Sequence, residues 1–237
     1  MLYRKDIESM LSFNQFQYIE EGVNDPTIFK AVFLAGGPGS GKSFIVGKTG
    51  LPVLGFRVVN SDDAFENAMK KAGKAMTPDE IFSDEGQDIR VRAKALTGKK
   101  QDLYMKGRLG LVIDGTGKDF TKVRKQAKVL QDLGYDTAMI FVNTDLDTAI
   151  ERDKLRDRSV GEKEVTQMWK DVQKNIGAFQ QMFGKQDMLV VDNSTGKDFK
   201  KETLRAYRDV QKFIKREPDN PLAKKWIKQE RAKKKRN

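Results

Sequence analysis

Five short apolar runs recur along the chain, each closing in small or acidic polar residues: KAVFLAGG (30–37), FRVVNSDD (56–63), GLVIDGTG (110–117), TAMIFVNTD (137–145) and MLVVDNS (188–194). Continuous apolar character, rather than alternation, marks strands covered on both faces. Between the runs the period changes. In TKVRKQAKVLQDLGY (121–135) the apolar positions Val123, Ala127, Leu130 and Leu133 follow helical spacing. Strands alternating with helices predict an α/β fold, a parallel sheet sandwiched by helices. Ligands bind at the carboxyl ends of such strands, so the polar run-ends are expected to share one functional rim.

Three segments fall outside the alternation. Residues 1–27 have mixed polarity and end at the turn signal NDPT, which reads as a helical N-terminal arm. Residues 64–108 form a helical insertion between the second and third strands, carrying Arg90, Arg92, Lys94, Lys99 and Lys100. Residues 198–216 and 221–235 read as two basic helices separated at EPDNP, with Pro221 at a first helical position. The expected organisation is an arm, a domain over 28–196 and a basic helical extension over 197–237.

Charge sharpens that division. The chain carries +11 overall, yet Lys197 to Asn237 holds 16 Lys and Arg against 6 Asp and Glu, which leaves the body near neutral. A basic end of this kind fits phosphate contacts with nucleic acid, DNA being the expected partner, with Trp226 anchoring the last helix. No apolar run approaches the roughly 20 residues that span a bilayer, and no signal peptide is evident, so no membrane partner is expected. The chain has no cysteine and no histidine. That excludes disulfides, cysteine nucleophiles and an ordinary zinc site, and leaves carboxylates, lysine or tyrosine as proton acceptors.

The first run ends in Gly36-Gly37-Pro38-Gly39-Ser40-Gly41-Lys42-Ser43, a complete G-x-x-x-x-G-K-[ST] pattern between a strand and a helix. Glycines let backbone N–H groups turn toward phosphate oxygens, and the helix start adds its positive end. Lys42 is expected at the β and γ phosphates and Ser43 at Mg²⁺. The nucleotide-binding residues are thus Gly37 to Ser43, with Phe44 following. The chain contains no Asn-Lys-x-Asp for reading guanine, so ATP is the expected nucleotide. The third run ends in Asp114-Gly115-Thr116 without the glutamate that hydrolytic motors use to activate water; Asp114 remains a candidate metal ligand. Asp62-Asp63 closes the second run, where a carboxylate can accept a proton from an attacking hydroxyl. Arg152 and Arg156 stand four residues apart on one helical face, with Arg158 just beyond, and can neutralise charge on a transferring phosphoryl group.

Taken in order, GGPGSGKS, NSDD, DGTG and ER-x₃-R-x-R resemble the P-loop kinases that include bacteriophage polynucleotide 5′-hydroxyl kinase and the zeta toxins, over roughly residues 30–195. The resemblance implies a five-stranded sheet ordered 2-3-1-4-5 with a lid at 148–165, and ATP with Mg²⁺. It implies Asp62 as general base, Lys42 and Ser43 as phosphate and Mg²⁺ ligands, Arg156 as the leading lid arginine with Arg152 in support, and Asp114 for substrate or metal. In polynucleotide kinase the acidic pair is followed by Tyr-Arg, whose arginine helps bind the acceptor's phosphate. Here that position is Phe65, so the insertion is expected to form the acceptor pocket. Candidate substrate contacts are Asp63, Phe65, Arg90, Arg92, Lys94 and Thr116; Phe65 can stack on a base, with a core role the leading expectation for it. The leading expectation is an ATP-dependent kinase acting on a nucleic-acid hydroxyl, at a 5′ end or on a hydroxymethylated base. The alternatives are a zeta-toxin-like nucleotide-sugar kinase and a nucleotide-gated nucleic-acid-binding protein without transfer activity. The expected location is cytoplasmic, in the host if phage-encoded.

Overall fold

A computed structural model describes residues 22–155 and 159–234. Its strands are β1 (Lys30–Ala35), β2 (Arg57–Val59), β3 (Leu111–Ile113), β4 (Asp136–Asn143) and β5 (Met188–Asp192). All pair in parallel, in the order β2-β3-β1-β4-β5. The helices are α1 (Lys42–Thr49), α2 (Ser61–Lys71), α3 (Pro78–Phe82), α4 (Asp84–Lys106), α5 (Phe120–Asp132), α6 (Leu146–Lys154), α7 (Glu162–Gln173), α8 (Ile176–Asp187), α9 (Phe199–Lys215) and α10 (Pro221–Lys234).

The central strand β1 is buried throughout because both of its faces are covered. Successive side chains point to opposite faces. Ala31, Phe33 and Ala35 join a core with Ala127, Leu130 and Phe179, while Val32 and Leu34 join one with Ile45, Val210 and Phe213. Each fully buried Val, Leu or Phe there contributes about 1.5–3 kcal/mol over exposure. Helix α5 buries Ala127 and Leu130 as its spacing predicts. Leu133 departs from that stripe, since the helix ends at Asp132 and leaves it 37% exposed.

The insertion folds as α2, α3 and α4 around a small core of Phe65, Met69, Ile81, Ile89 and Ala93. Residues 22–27, expected to close a helical arm, form turns instead. Asp25 is the reason: its carboxylate accepts both the N–H and the hydroxyl of Thr27 and fixes a turn in place of a helix. Residues 1–21 lie outside the described residues.

The two basic helices are layers of the domain. Helix α9 supplies Ala206, Val210, Phe213 and Ile214 to one core, and α10 supplies Ala223 and Ile227 to the other. Trp226 packs edge-on against Phe29, ring centroids 5.5 Å apart, and so anchors the last helix. Their linker is pinned at the amino end of β4, where Asp136 accepts the backbone N–H of Asp219 and Asn220 and the buried ammonium of Lys30. Helix α10 therefore sits at the foot of the sheet, against the residues that precede β1 and β4. The functional rim lies at the other end of β1, about 20 Å away at ~3.3 Å per residue. Among the described residues no helix is long and apolar enough to cross a membrane.

Candidate functional site

Between β1 and α1 the loop Gly36–Ser43 is built to close tolerances. Gly39 has φ 71° and lies so near α6 that a Cβ would meet the Ala149 carbonyl at 2.4 Å. Gly41 has φ 87° and heads α1 without any side-chain cap, leaving its first N–H groups directed at the loop. Three neighbours hold the loop: Asn193 Nδ2 donates to the Ser40 carbonyl (2.8 Å), Gly36 N–H to the Thr116 carbonyl (2.9 Å) and Arg152 to the Gly39 carbonyl (3.4 Å). The Lys42 ammonium rests against the Gly36 carbonyl at 2.6 Å. Helix α7 packs beside the loop, where a Cβ at Gly37 would lie 3.8 Å from the Trp169 Cα, and Trp169 Nε1 donates to the carbonyl of Thr144, just after β4.

Beside the loop, the ends of β2 and β3 bring together three carboxylates, and Asn60 organises them. Its Oδ1 accepts the Asp62 N–H (2.8 Å) and caps α2, while its Nδ2 donates to Asp63 Oδ1 (3.0 Å) and to Asp114 Oδ2 (2.9 Å). Burial pushes Asp114 above the ordinary carboxylate range; the Lys42 ammonium pulls it down, and Asp63 and Asp62 push it up. Asp63 is raised as well, by burial first and then by Asp62 and Glu66, against the hydrogen bond from Asn60. Asp62 is exposed in the first turn of α2, and its carboxylate makes no hydrogen bond among the described residues.

Two clefts flank the loop. One, of about 530 Å³, is walled by Phe44, Arg152 and residues 193–197 and can take the nucleoside of a bound nucleotide. The other, of about 470 Å³, lies between α4 and the end of β3, with Ser61, Asp114 and Thr116 on one side and Lys94, Thr97 and Gln101 on the other. Lys42 and Asp114 interact across the boundary between them. The donor set fits Mg²⁺: the Ser43 hydroxyl is exposed at the start of α1, and Asp114 Oδ1 is buried without a well-aligned donor. These are hard oxygen ligands few in number, as Mg²⁺ takes when phosphates and water complete its shell.

Of the residues expected from sequence, the loop residues Gly37 to Phe44, Arg152, Asp62, Asp63, Asp114 and Thr116 gather at this rim. Lys94 lines the second cleft. Two candidate contacts, Arg90 and Arg92, are corrected, and Phe65 takes its leading core role over base stacking. Phe65 is 1% exposed in the insertion core, because it falls on the α2 face that packs against α4. Arg90 lies over the Phe65 ring at 4.7 Å instead of lining the cleft. Arg92 points outward from α4, where its nearest acidic neighbour is Asp88 at 3.9 Å. Arg156 and Arg158 lie outside the described residues. Asn60, Asn193, Gln101, Lys118 and Lys122 are rim residues that the sequence reading missed. Asn60 carried one visible signal, a good N-cap residue directly before Ser-Asp-Asp.

A parallel sheet ordered 2-3-1-4-5, with a glycine-rich loop running from its central strand into a helix, defines a P-loop NTPase fold of the kinase-like type. The AAA domain family AAA_33 matches residues 32–176, and the chain belongs to that family. No curated protein matches it. Among solved structures it resembles a chain of the AvrRxo1-ORF1:AvrRxo1-ORF2 complex with ATP, at TM-score 0.54 and 16% identity over 80% of this chain and 63% of that one. The chain therefore spans less than two thirds of that relative. The PezAT toxin–antitoxin system of Streptococcus pneumoniae has TM-score 0.49 at 13% identity, covering 90% and 98% of the two chains. The Pnkp1/Rnl/Hen1 RNA repair complex has TM-score 0.48 at 17% identity, covering 63% and 46%.

Proposed function

We propose that this chain is an ATP-dependent kinase that transfers the γ-phosphate to a hydroxyl group of a nucleic acid, at a 5′ end or on a hydroxymethylated base. The observation that carries the reading is the cluster of Lys42, Asp62 and Asp114, whose charges interact at the edge of the second cleft beside the nucleotide loop. In the transfer, the acceptor oxygen bonds to the γ-phosphorus as the bond to the β–γ bridging oxygen breaks. The hydroxyl proton passes to the Asp62 carboxylate and ADP leaves. Lys42 and the N–H groups heading α1 neutralise charge on the phosphoryl oxygens, and Arg152 steadies the loop that presents them. Asn60 holds Asp63 and Asp114 in place so that Asp62 remains the exposed base. Mg²⁺, when held by Ser43 and Asp114, supplies further positive charge to the β and γ phosphates.

A second reading, a kinase for a small nucleotide-sugar hydroxyl, draws support from one observation: the basic helix α10 stands at the foot of the sheet rather than beside the acceptor cleft. Transfer from γ-³²P-ATP to 5′-hydroxyl oligonucleotides, hydroxymethyluracil-containing duplex DNA and a set of nucleotide sugars separates the two. Label on nucleic acid is expected, and label confined to a nucleotide sugar replaces the first reading with the second. ATP binding without label on any acceptor would favour a nucleotide-gated binding protein.

A further inference from the structure

We infer that the foot of the sheet, between α10 and the end of α9, is a binding surface for the phosphodiester backbone of nucleic acid, separate from the catalytic rim. The groove there, about 520 Å³, has Lys215 on one side and Lys224, Lys228 and Arg231 on the other; its lining also includes Asp25 and Glu217, and its Arg216 is held by Asp187 at 2.9 Å. Lys224, Lys228 and Arg231 stand at i, i+4 and i+7, one stripe along the exposed side of α10. Lys225 adjoins the stripe and is exposed. Lys215, Lys225 and Lys228 form no ion pair among the described residues. The pairs of Lys224 with Asp219 (3.5 Å) and Arg231 with Glu217 (3.7 Å) are exposed and weak, so an incoming phosphate can replace them.

The same helix argues against an anionic membrane. Its apolar side, Ala223, Trp226 and Ile227, is turned into the core, and Leu222 is its one large exposed apolar residue. An amphipathic membrane helix needs that face free to insert. Bases have no aromatic platform here either, since Trp226 is packed on Phe29. What remains is charge recognition of the backbone, independent of sequence.

The geometry gives magnitudes. About four to five phosphate contacts predict a slope near −4 for log affinity against log salt, roughly a two-hundred-fold loss between about 50 and 200 mM. The rim is about 20 Å distant, so a nucleic acid must cover roughly six base pairs to touch both poles. The surface stands whether or not the rim transfers phosphate.

The test is equilibrium binding of the full chain to fluorescein-labelled duplex DNA of about 20 base pairs across that salt range, without nucleotide. Lys225→Glu/Lys228→Glu is compared with the wild type, and its Tm is measured alongside; both positions are exposed. The wild type should show the steep slope. The variant should lose at least tenfold in affinity at about 100 mM salt, with a slope shallower by about two and an unchanged Tm. A flat salt dependence, an unchanged variant affinity, or binding of phosphatidylserine vesicles in preference to DNA would overturn the inference. Loss of phosphoryl transfer in the wild type would leave it intact.

Discussion

Replacing Asn60 with alanine should do two separable things. It removes the cap of α2, which costs about 1 kcal/mol. It also removes two hydrogen bonds from the side-chain amide to the carboxylates of Asp63 and Asp114. A bond to a charged group is worth about 1.5–3 kcal/mol; the lower figure applies to Asp114, whose bond is partly buried. That bond favours the ionised form, so its loss raises the Asp114 pKa further above the ordinary range. Asp63 moves the same way. Because Asp114 must be ionised to hold Mg²⁺ beside the base Asp62, the acidic limb of the kcat/KM profile should move upward in pH. The destabilisation should be largest where both carboxylates are ionised and shrink as pH falls through their raised native pKa values. Asn60→Ser separates the effects, because serine caps about as well as asparagine but is uncharged and carries no amide to reach Asp63 and Asp114. It should keep most of the Tm and still move the acidic limb. An alanine variant with lowered Tm and an unmoved acidic limb would reduce Asn60 to a helix cap and refute the reasoning.

Other outcomes follow from the same geometry. Gly39→Ala must place a Cβ 2.4 Å from the Ala149 carbonyl at a φ of 71°; nucleotide-induced thermal stabilisation should vanish while the fold persists. Asp114→Asn should raise Tm at neutral pH, because burial lifts the native pKa above the unfolded value and the charged form is penalised. The native state binds the extra proton in the window just above the ordinary carboxylate value, so wild-type stability falls as pH rises through it, and the variant's gain should disappear below it. Asp136→Ala leaves the Lys30 ammonium buried without its 2.8 Å partner and frees the α9–α10 linker; a loss of about 3–5 kcal/mol is expected in urea denaturation. Truncation after Thr195 strips Ala206, Val210, Phe213 and Ile214 from the core. It should give an unfolded product by circular dichroism instead of a working domain without its basic end.

The nucleotide loop was legible in the sequence because its chemistry is local. Eight consecutive residues carry both the backbone freedom and the charge. The strands were legible because β1 and β4 are buried on both faces and leave no polar alternation. What the sequence hid was long-range or depended on helical phase. Asn60 bridges to Asp114, 54 residues away, and that bond exists only because β2 pairs with β3. Arg90 and Arg92 looked equivalent to Lys94, but α4 is charged on most of its circumference and buries only Gly86, Ile89 and Ala93. Its pattern therefore does not tell which basic residues meet the cleft. Phe65 and Met69, four apart, carry a helical signal for the core, and the core role expected for Phe65 follows from it. The position of α10 at the foot of the sheet follows from the Asp136 anchor, a contact 83 residues apart in the chain.

The central claim is that the rim transfers phosphate with Asp62 as the base. Its most direct test measures transfer rate and ATP affinity together in Asp62→Asn. A rate lowered by about 10²–10⁴ is expected, with ATP affinity within about twofold of wild type. Transfer at the wild-type rate, or joint loss of transfer and ATP binding, would contradict it.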